Sequence, residues 1–351
     1  MSKLPKFLWA TIIDYLSYED IIKASYVVKN FKDYVDEDKW KYVFFSRTKR
    51  IAIARTNANV NISRYWKHVI ETFVSCNTIG RMIAIVEKET DSDINYKIFF
   101  KSGVYKIFTD YALKIETNNV NIKFIGSSTD GTQIVPYNYY ATCKFRIINA
   151  RHLLIKNMTF NNTQPVVIDS YDKQNCSVQI CNCVFNTNCT IYIKSINSVI
   201  IKDSIFKCNG LFIYNAEYNT MACLISNCIF SNSKTVCSII GQSINIALLN
   251  NIINGLGSLI YFVDNCSDTN IVADGNIIST LAYCTYTHGP DPDDEIMIDD
   301  ITLTNVNISY INNYFKNCIS LYNGKPPMIK SKNNECINCN LGFTKTVENA
   351  S

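Results

Sequence analysis

Leu154-Ile-Lys-Asn157-Met-Thr-Phe160, Gln179-Ile-Cys-Asn182-Cys-Val-Phe185, Ile200-Ile-Lys-Asp203-Ser-Ile-Phe206 and Leu224-Ile-Ser-Asn227-Cys-Ile-Phe230 repeat one pattern. Two aliphatics lead to an Asn or Asp, and a Phe follows three residues later. Leu248-Leu-Asn-Asn251-Ile-Ile-Asn254 and Ala273-Asp-Gly-Asn276-Ile-Ile-Ser279 extend it, so the anchors fall at 157, 182, 203, 227, 251 and 276. After an insertion, Tyr310-Ile-Asn312-Asn-Tyr-Phe315 resumes it, and fainter copies lie near 329–339. A period in the low twenties fits one coil of a parallel β-helix, with three short strands per turn and coils stacked about 4.8 Å apart. The Asn anchor suits a turn, because its short amide tolerates left-handed backbone and can ladder with the next coil. The Phe is expected to point inward and stack on its counterparts. Cys181, Cys183, Cys208, Cys223 and Cys228 read as small buried hydrophobes.

A leucine-rich solenoid shares this period, but it needs regular Leu spacing and a helix-like half-repeat. Here Ile, Val and Phe dominate. Working back toward the N-terminus, the first coil begins in Ile94-Asn-Tyr-Lys-Ile-Phe-Phe-Lys-Ser-Gly103-Val-Tyr105 and closes at Phe-Ile-Gly126. The expected fold is therefore mainly β: a right-handed parallel β-helix over 93–345, behind a small N-terminal α-helical domain. Residues 46–92 read as a helical linker or cap over the open end, with Ile62, Tyr65, Trp66, Val69, Ile70 and Phe73 at helical spacing.

Residues 1–45 read as short helices. Leu8, Ile12 and Leu16 recur every four residues, Pro5 suits a helix start, and Ser17-Tyr-Glu-Asp20 is a capping-box pattern. Leu4-Pro5, Leu8, Ile12, Leu16, Asp20-Ile21-Ile22, Ser25, Val27-Val28-Lys29 and Phe31 resemble the F-box pattern without gaps. Val28 stands where the family usually has Cys, and Phe31 where it has Trp. The resemblance implies docking on a Skp-type adaptor of a cullin-RING ubiquitin ligase. Leu4, Pro5, Leu8, Ile12, Leu16, Asp20, Ile21, Ile22, Val28 and Phe31 would supply the contact. The rival reading of this segment is a plain helical cap. An F-box followed by a β-helix resembles F-box proteins with carbohydrate-binding-like β-helix repeats.

Composition narrows the classes further. Apolar residues make up 47% of the 351 residues and charged residues 18%, enough for a large core and too apolar for a disordered chain. A net charge of +4 is too mild to argue for nucleic acid. The basic run from Arg47 to Lys67 reads as a solvated face. The wealth of Asn and Ile fits an AT-rich coding genome, such as that of a large DNA virus or an AT-rich eukaryote. No apolar run approaches the roughly 18–20 residues that span a bilayer. The first residues lack the apolar stretch of a secretion signal, and the 15 cysteines form no disulfide framework. The expectation is a cytoplasmic or nuclear protein with reduced thiols, in the host cell if the source is viral, with no membrane and no nucleic-acid partner.

Site chemistry is thin in the sequence. Glycoside hydrolysis needs two converging carboxylates, and Asp169, Asp172, Asp203, Glu217, Asp264, Asp268 and Asp274 do not recur in register. The acidic run Asp291 to Asp300 follows His288-Gly-Pro and reads as an insertion loop. Cys336-Ile-Asn-Cys339 is a lone pair without zinc-finger partners. With His68, His152 and His288 as the only histidines, no Ser–His or Cys–His dyad is expected, nor any metal or cofactor. The leading expectation is a non-catalytic substrate receptor of an SCF-type ligase, its β-helix of eight or so coils offering a target protein a surface on the order of 35–40 Å long. Two alternatives stand beside it: a carbohydrate-binding or polysaccharide-active β-helix with a helical cap, and a structural scaffold.

Overall fold

The computed structural model describes residues 50–57, 74–87, 94–107, 113–117, 120–136, 145–161, 166–170, 176–186, 190–208, 210–215, 220–287, 301–323 and 327–339. They form a parallel β-helix whose coils each present three faces. The first face stacks the strands Ile94–Phe100, Asn121–Gly126, His152–Lys156, Ser177–Cys181 and Ser198–Lys202, and continues to Asn307–Ile311 and Met328–Lys332. Neighbours run parallel, as in Val178↔Val199 and Ile180↔Ile201. Alternate residues point inward along each strand, which is the strand period of two.

The second face is built from short strands such as Thr159–Asn161, Val184–Asn186, Ile205–Lys207 and Ile277–Ser279. Its inner column runs Phe160, Phe185, Phe206, Phe230, Ile253, Ile278 and Phe315. The four leading rings stack with centroids 5.0, 5.2 and 4.6 Å apart and planes within 8° of parallel. The coil spacing imposes this offset stacking, and the rings are fully buried. The third face comprises Phe145–Ile148, Val166–Asp169, Thr190–Lys194, Gly210–Asn215 and Tyr283–Thr287, together with the later halves of the long strands Ile229–Gln242 and Ile252–Ser267.

The corner between the first and second faces holds Asn157, Asn182, Asp203, Asn227, Asn250 and Asn312 at φ between 49° and 57°, with Gly275 at 64°. Amide ladders run along it, including Asn182 Nδ2 donating to Asn157 Oδ1 at 2.8 Å. Two expected anchors move by one residue: Asn250 and Gly275 make the turn, while Asn251 and Asn276 sit just inside it at 1% exposure. The buried position is filled by Cys183, Ser204, Cys228, Asn251, Asn276 and Asn313 in successive coils. Asn serves there because its carbonyl oxygen accepts from the previous coil while its amide donates to a backbone carbonyl, as Asn276 Nδ2 does to Leu248 O at 2.8 Å.

Within residues 46–92, the described parts are two strands and one helix rather than helix throughout. Ile51–Asn57 pairs antiparallel with Ile94–Phe100 on one side and with Val74–Cys76 on the other. Ile51, Ala52, Ile53 and Ala54 are all buried, so both faces of the strand are covered and its β-branched content finds packing. The helix Ile79–Val86 starts at Thr78, whose hydroxyl accepts from the Arg81 N–H at 3.3 Å. It buries Ile79, Met82, Ile83 and Val86, one helical face. Ile79 and Met82 line an apolar pocket with Phe100, Phe124 and Phe160, so the helix closes the first coils. Residues 1–45 and the segment 62–73 lie outside the described residues.

Candidate functional site

The ten residues expected to contact an adaptor, Leu4 to Phe31, lie outside the described residues, as does the acidic run Asp291–Asp300. Chemistry must therefore be sought on the coils. Among the described residues the cysteines are free thiols, buried except Cys336 and Cys339. Burial pushes Cys183, Cys223 and Cys228 up to about 12, which leaves them protonated and inert. Among the described residues no three His, Cys, Asp or Glu side chains group so as to hold a metal ion.

Carboxylates are mostly engaged in the scaffold. Asp203, Asp268 and Asp274 accept from Asn227, Asn305 and Asn312 respectively, each one coil onward. Asp169 is buried and meets Arg146 Nη2 at 3.2 Å. One Ser–His contact is present, although the sequence pattern singled out no such dyad. His152 Nδ1 and Ser177 Oγ lie 2.6 Å apart on the outer side of the first face, because His152 and Ser177 occupy the same register position in adjacent coils. Partial burial, then Arg151 and Lys123, lower the pKa of the imidazole. The shift favours the neutral ring, in which Nδ1 can donate to or accept from the hydroxyl according to the tautomer.

Partly exposed aromatic side chains gather on the third face. Its outer column runs in register through Arg146, Val167, Tyr192, Phe212, Ser238, Tyr261 and Tyr286. All seven are partly exposed, because inward neighbours such as Ile191, Ile193, Leu211 and Ile213 take the core side of the same strands. Tyr192 and Phe212 lie 5.0 Å apart between centroids, and Tyr261 and Tyr286 5.2 Å apart. Tyr283 adds a ring 5.4 Å from Tyr286. Beside Tyr192 and Phe212, the next column carries Lys194 and Tyr214. The Lys194 ammonium sits 5.9 Å from the ring centres of both Tyr192 and Tyr214. Two aromatic clusters thus follow the solenoid axis, separated by the coil that carries Ser238 and Ile240. Two coil steps are about 10 Å.

Such a surface offers flat apolar faces interleaved with phenol hydroxyls and an amine. It suits a ligand that is apolar on one face and polar around its rim. The sequence reading missed this stripe, since its members recur at unequal chain spacings; only the register reveals them.

No family model and no curated protein matches the chain. Solved structures that resemble it include the following three. ORF18 of Geobacillus virus E2 is 13% identical, with a TM-score of 0.36 and matches covering 76% of this chain and 57% of that one. The Agl-KA catalytic domain is 13% identical, with a TM-score of 0.33 over 69% and 62% of the two chains. The catalytic domain of a GH87 alpha-1,3-glucanase in complex with nigerose is 9% identical, with a TM-score of 0.27 over 76% and 66%. The chain therefore spans between 57% and 66% of the lengths of these proteins. Two of these three are catalytic domains, and the expectation of a chain without catalysis of its own is withdrawn. The likeness is one of fold and assigns no reaction to this chain.

Proposed function

We propose that the chain is a carbohydrate-binding β-helix protein, and that a linear glycan lies along the third face parallel to the solenoid axis. The in-register aromatic column of Tyr192, Phe212, Tyr261 and Tyr286 supports this reading. A pyranose ring turns axial C–H groups toward an aromatic face and its hydroxyls outward. Within each pair the rings lie 5.0 and 5.2 Å apart, which suits one sugar per coil, and the coil of Ser238 leaves one sugar between the pairs without a ring beneath it. Lys194, Ser238 and the tyrosine hydroxyls then stand at the rim, as polar groups do in ligand sites.

Affinity electrophoresis through gels containing soluble linear glucans, mannans and galactans tests it. At least one glycan should retard the full chain. Tyr192→Ala/Phe212→Ala and Tyr261→Ala/Tyr286→Ala should each weaken retardation about tenfold or more. No retardation by any linear glycan, or full retention by both double variants, overturns the reading. Stacking rings also suit single-stranded nucleic acid; binding that collapses as salt rises would show that ligand instead.

The ligase-adaptor reading is a second proposal and rests on the residue pattern of 4–31 alone. Pull-down against a Skp-type adaptor, beside Leu4→Ala/Pro5→Ala, tests it. Retention that the double variant loses supports it, and no retention by the intact chain removes it.

A further inference from the structure

The outer column of the second face runs Val184, Ile205, Ile229, Ile252, Ile277 and Tyr314 in unbroken register. Ile229, Ile252 and Ile277 are 39%, 47% and 50% exposed, values at odds with their apolar side chains. The stripe extends about 24 Å, from five coil steps. Polar residues flank it. On one edge stand Asn182, Asp203, Asn227 and Asn250; on the other stand Asn186, Lys207, Ser231 and Asn254. Asp203 and Lys207 are exposed and belong to one coil, on opposite sides of Ile205.

We infer that this stripe is the contact between two copies of the chain, related by a two-fold axis parallel to the solenoid. Such an axis keeps every coil at its own height and exchanges the two edges. Ile229, Ile252 and Ile277 each then face their own counterpart, and Asp203 of one copy faces Lys207 of the other, twice over. An antiparallel pairing of the stripes would set each edge against itself and leave both charges unmatched, so charge complementarity selects the parallel arrangement. Isologous contacts of this kind are the commonest in homo-oligomers. The face measures about 30 Å by 15 Å, so the pair buries on the order of 900–1,000 Å², the lower limit for a specific interface. The dimer is therefore concentration-dependent. It leaves the aromatic third face free, so its failure and that of glycan binding are separately visible.

Sedimentation velocity on the full chain, from about 1 to 100 μM, tests the inference. The wild type should pass from monomer to dimer across that range. Ile252→Lys should shift the midpoint upward about tenfold or more, as should Lys207→Asp, which sets two acids across each edge contact. Asp203→Lys/Lys207→Asp exchanges the two charges and should restore the wild-type midpoint. Circular dichroism and melting of each variant separate lost association from lost folding; Ile252 and Lys207 point outward, while Asp203 also turns the left-handed corner and accepts from Asn227. A monomer at every concentration overturns the proposal. So does a dimer that both single variants leave unchanged, or a charge exchange that fails to restore association in a folded protein.

Discussion

Asn276 gives Asn313 two hydrogen bonds on a single oxygen: its backbone N–H and its Nδ2 both reach Asn313 Oδ1 at 2.9 Å. Asn251 does the same to Asn276, at 2.8 and 2.9 Å, and Asn313 to Asn334, at 2.8 and 3.1 Å. Each amide also donates backward, as Asn251 Nδ2 does to Ile225 O at 3.0 Å. The row is a buried polar spine in which each member completes its neighbour.

Cutting one member orphans groups on the coil before it. Asn276→Ala leaves the Asn251 N–H without its acceptor in a dry interior, strips Asn251 Nδ2 back to Ile225 O alone, and takes from Leu248 O the amide that donates to it. At about 1–3 kcal/mol per buried unsatisfied group, the loss should come to about 3 kcal/mol. Asn276→Ser should cost roughly half as much, because Ser204 Oγ already accepts from the Cys183 N–H at 3.1 Å in an earlier coil. Urea midpoints at equal m-value measure both. A loss below about 1 kcal/mol for the alanine would mean that water replaces the ladder.

Two glycines give opposite expectations for one substitution. Gly241 lies at φ +110°, and a Cβ there would strike the backbone carbonyl of Asn215 in the preceding coil. Gly241→Ala should destabilise by at least about 2 kcal/mol, combining backbone strain with a parted strand pair. Gly80, in the helix Ile79–Val86, has nothing within 4 Å of that position. Gly80→Ala should stabilise by about 0.5–1 kcal/mol through helix propensity. Thermal melts of the pair decide it, and the same sign for both would refute the argument.

The thiols set an alkaline limit. Cys183, Cys223, Cys228 and Cys266 are pushed from 9.0 up to about 12, burial being the largest cause in each. In the unfolded chain they titrate near 9, so above that pH the unfolded state binds fewer protons than the folded one. Their stabilising contribution is complete below about pH 9 and is lost as pH climbs toward 12. Lys97 works the other way. Burial, then Lys123, lowers it from 10.5 to about 8, so its contribution rises with pH between those values. Thiols outnumber this amine, so Tm should fall steeply above about pH 9. Lys97→Met should steepen that fall, since it removes the only compensating rise among these five groups. A Tm that stays flat to about pH 11 would contradict the assignment.

The repeat was legible because the coil imposes it: a left-handed corner wants Asn, the next inward position wants a small or amide side chain, and the inner strand position wants an aromatic or aliphatic. Phe160, Phe185, Phe206 and Phe230 stack as their spacing implied. Where two asparagines adjoin, as at Asn250 and Asn251, the pattern could not say which one turns the chain; the buried hydrogen bonds decide it. The strand Ile51–Asn57 was read as part of a helical linker, since its partner Ile94–Phe100 is remote in sequence and pairing rather than propensity makes it a strand. The third-face aromatics and the His152–Ser177 contact depend on register between coils, which variable loops hide from any fixed spacing.

The Ile51–Asn57 strand and the Ile79–Val86 helix precede the coils in the chain and close one end of the stack. A ribosome therefore releases the lid before the layers it covers. Each later coil emerges facing a finished edge and needs only its immediate predecessor to settle, some 21–25 residues back for most of the stack. Mechanical extension should reverse that order from the other end, freeing one coil at a time. Each event would lengthen the tether by about 70–80 Å, the contour of one turn.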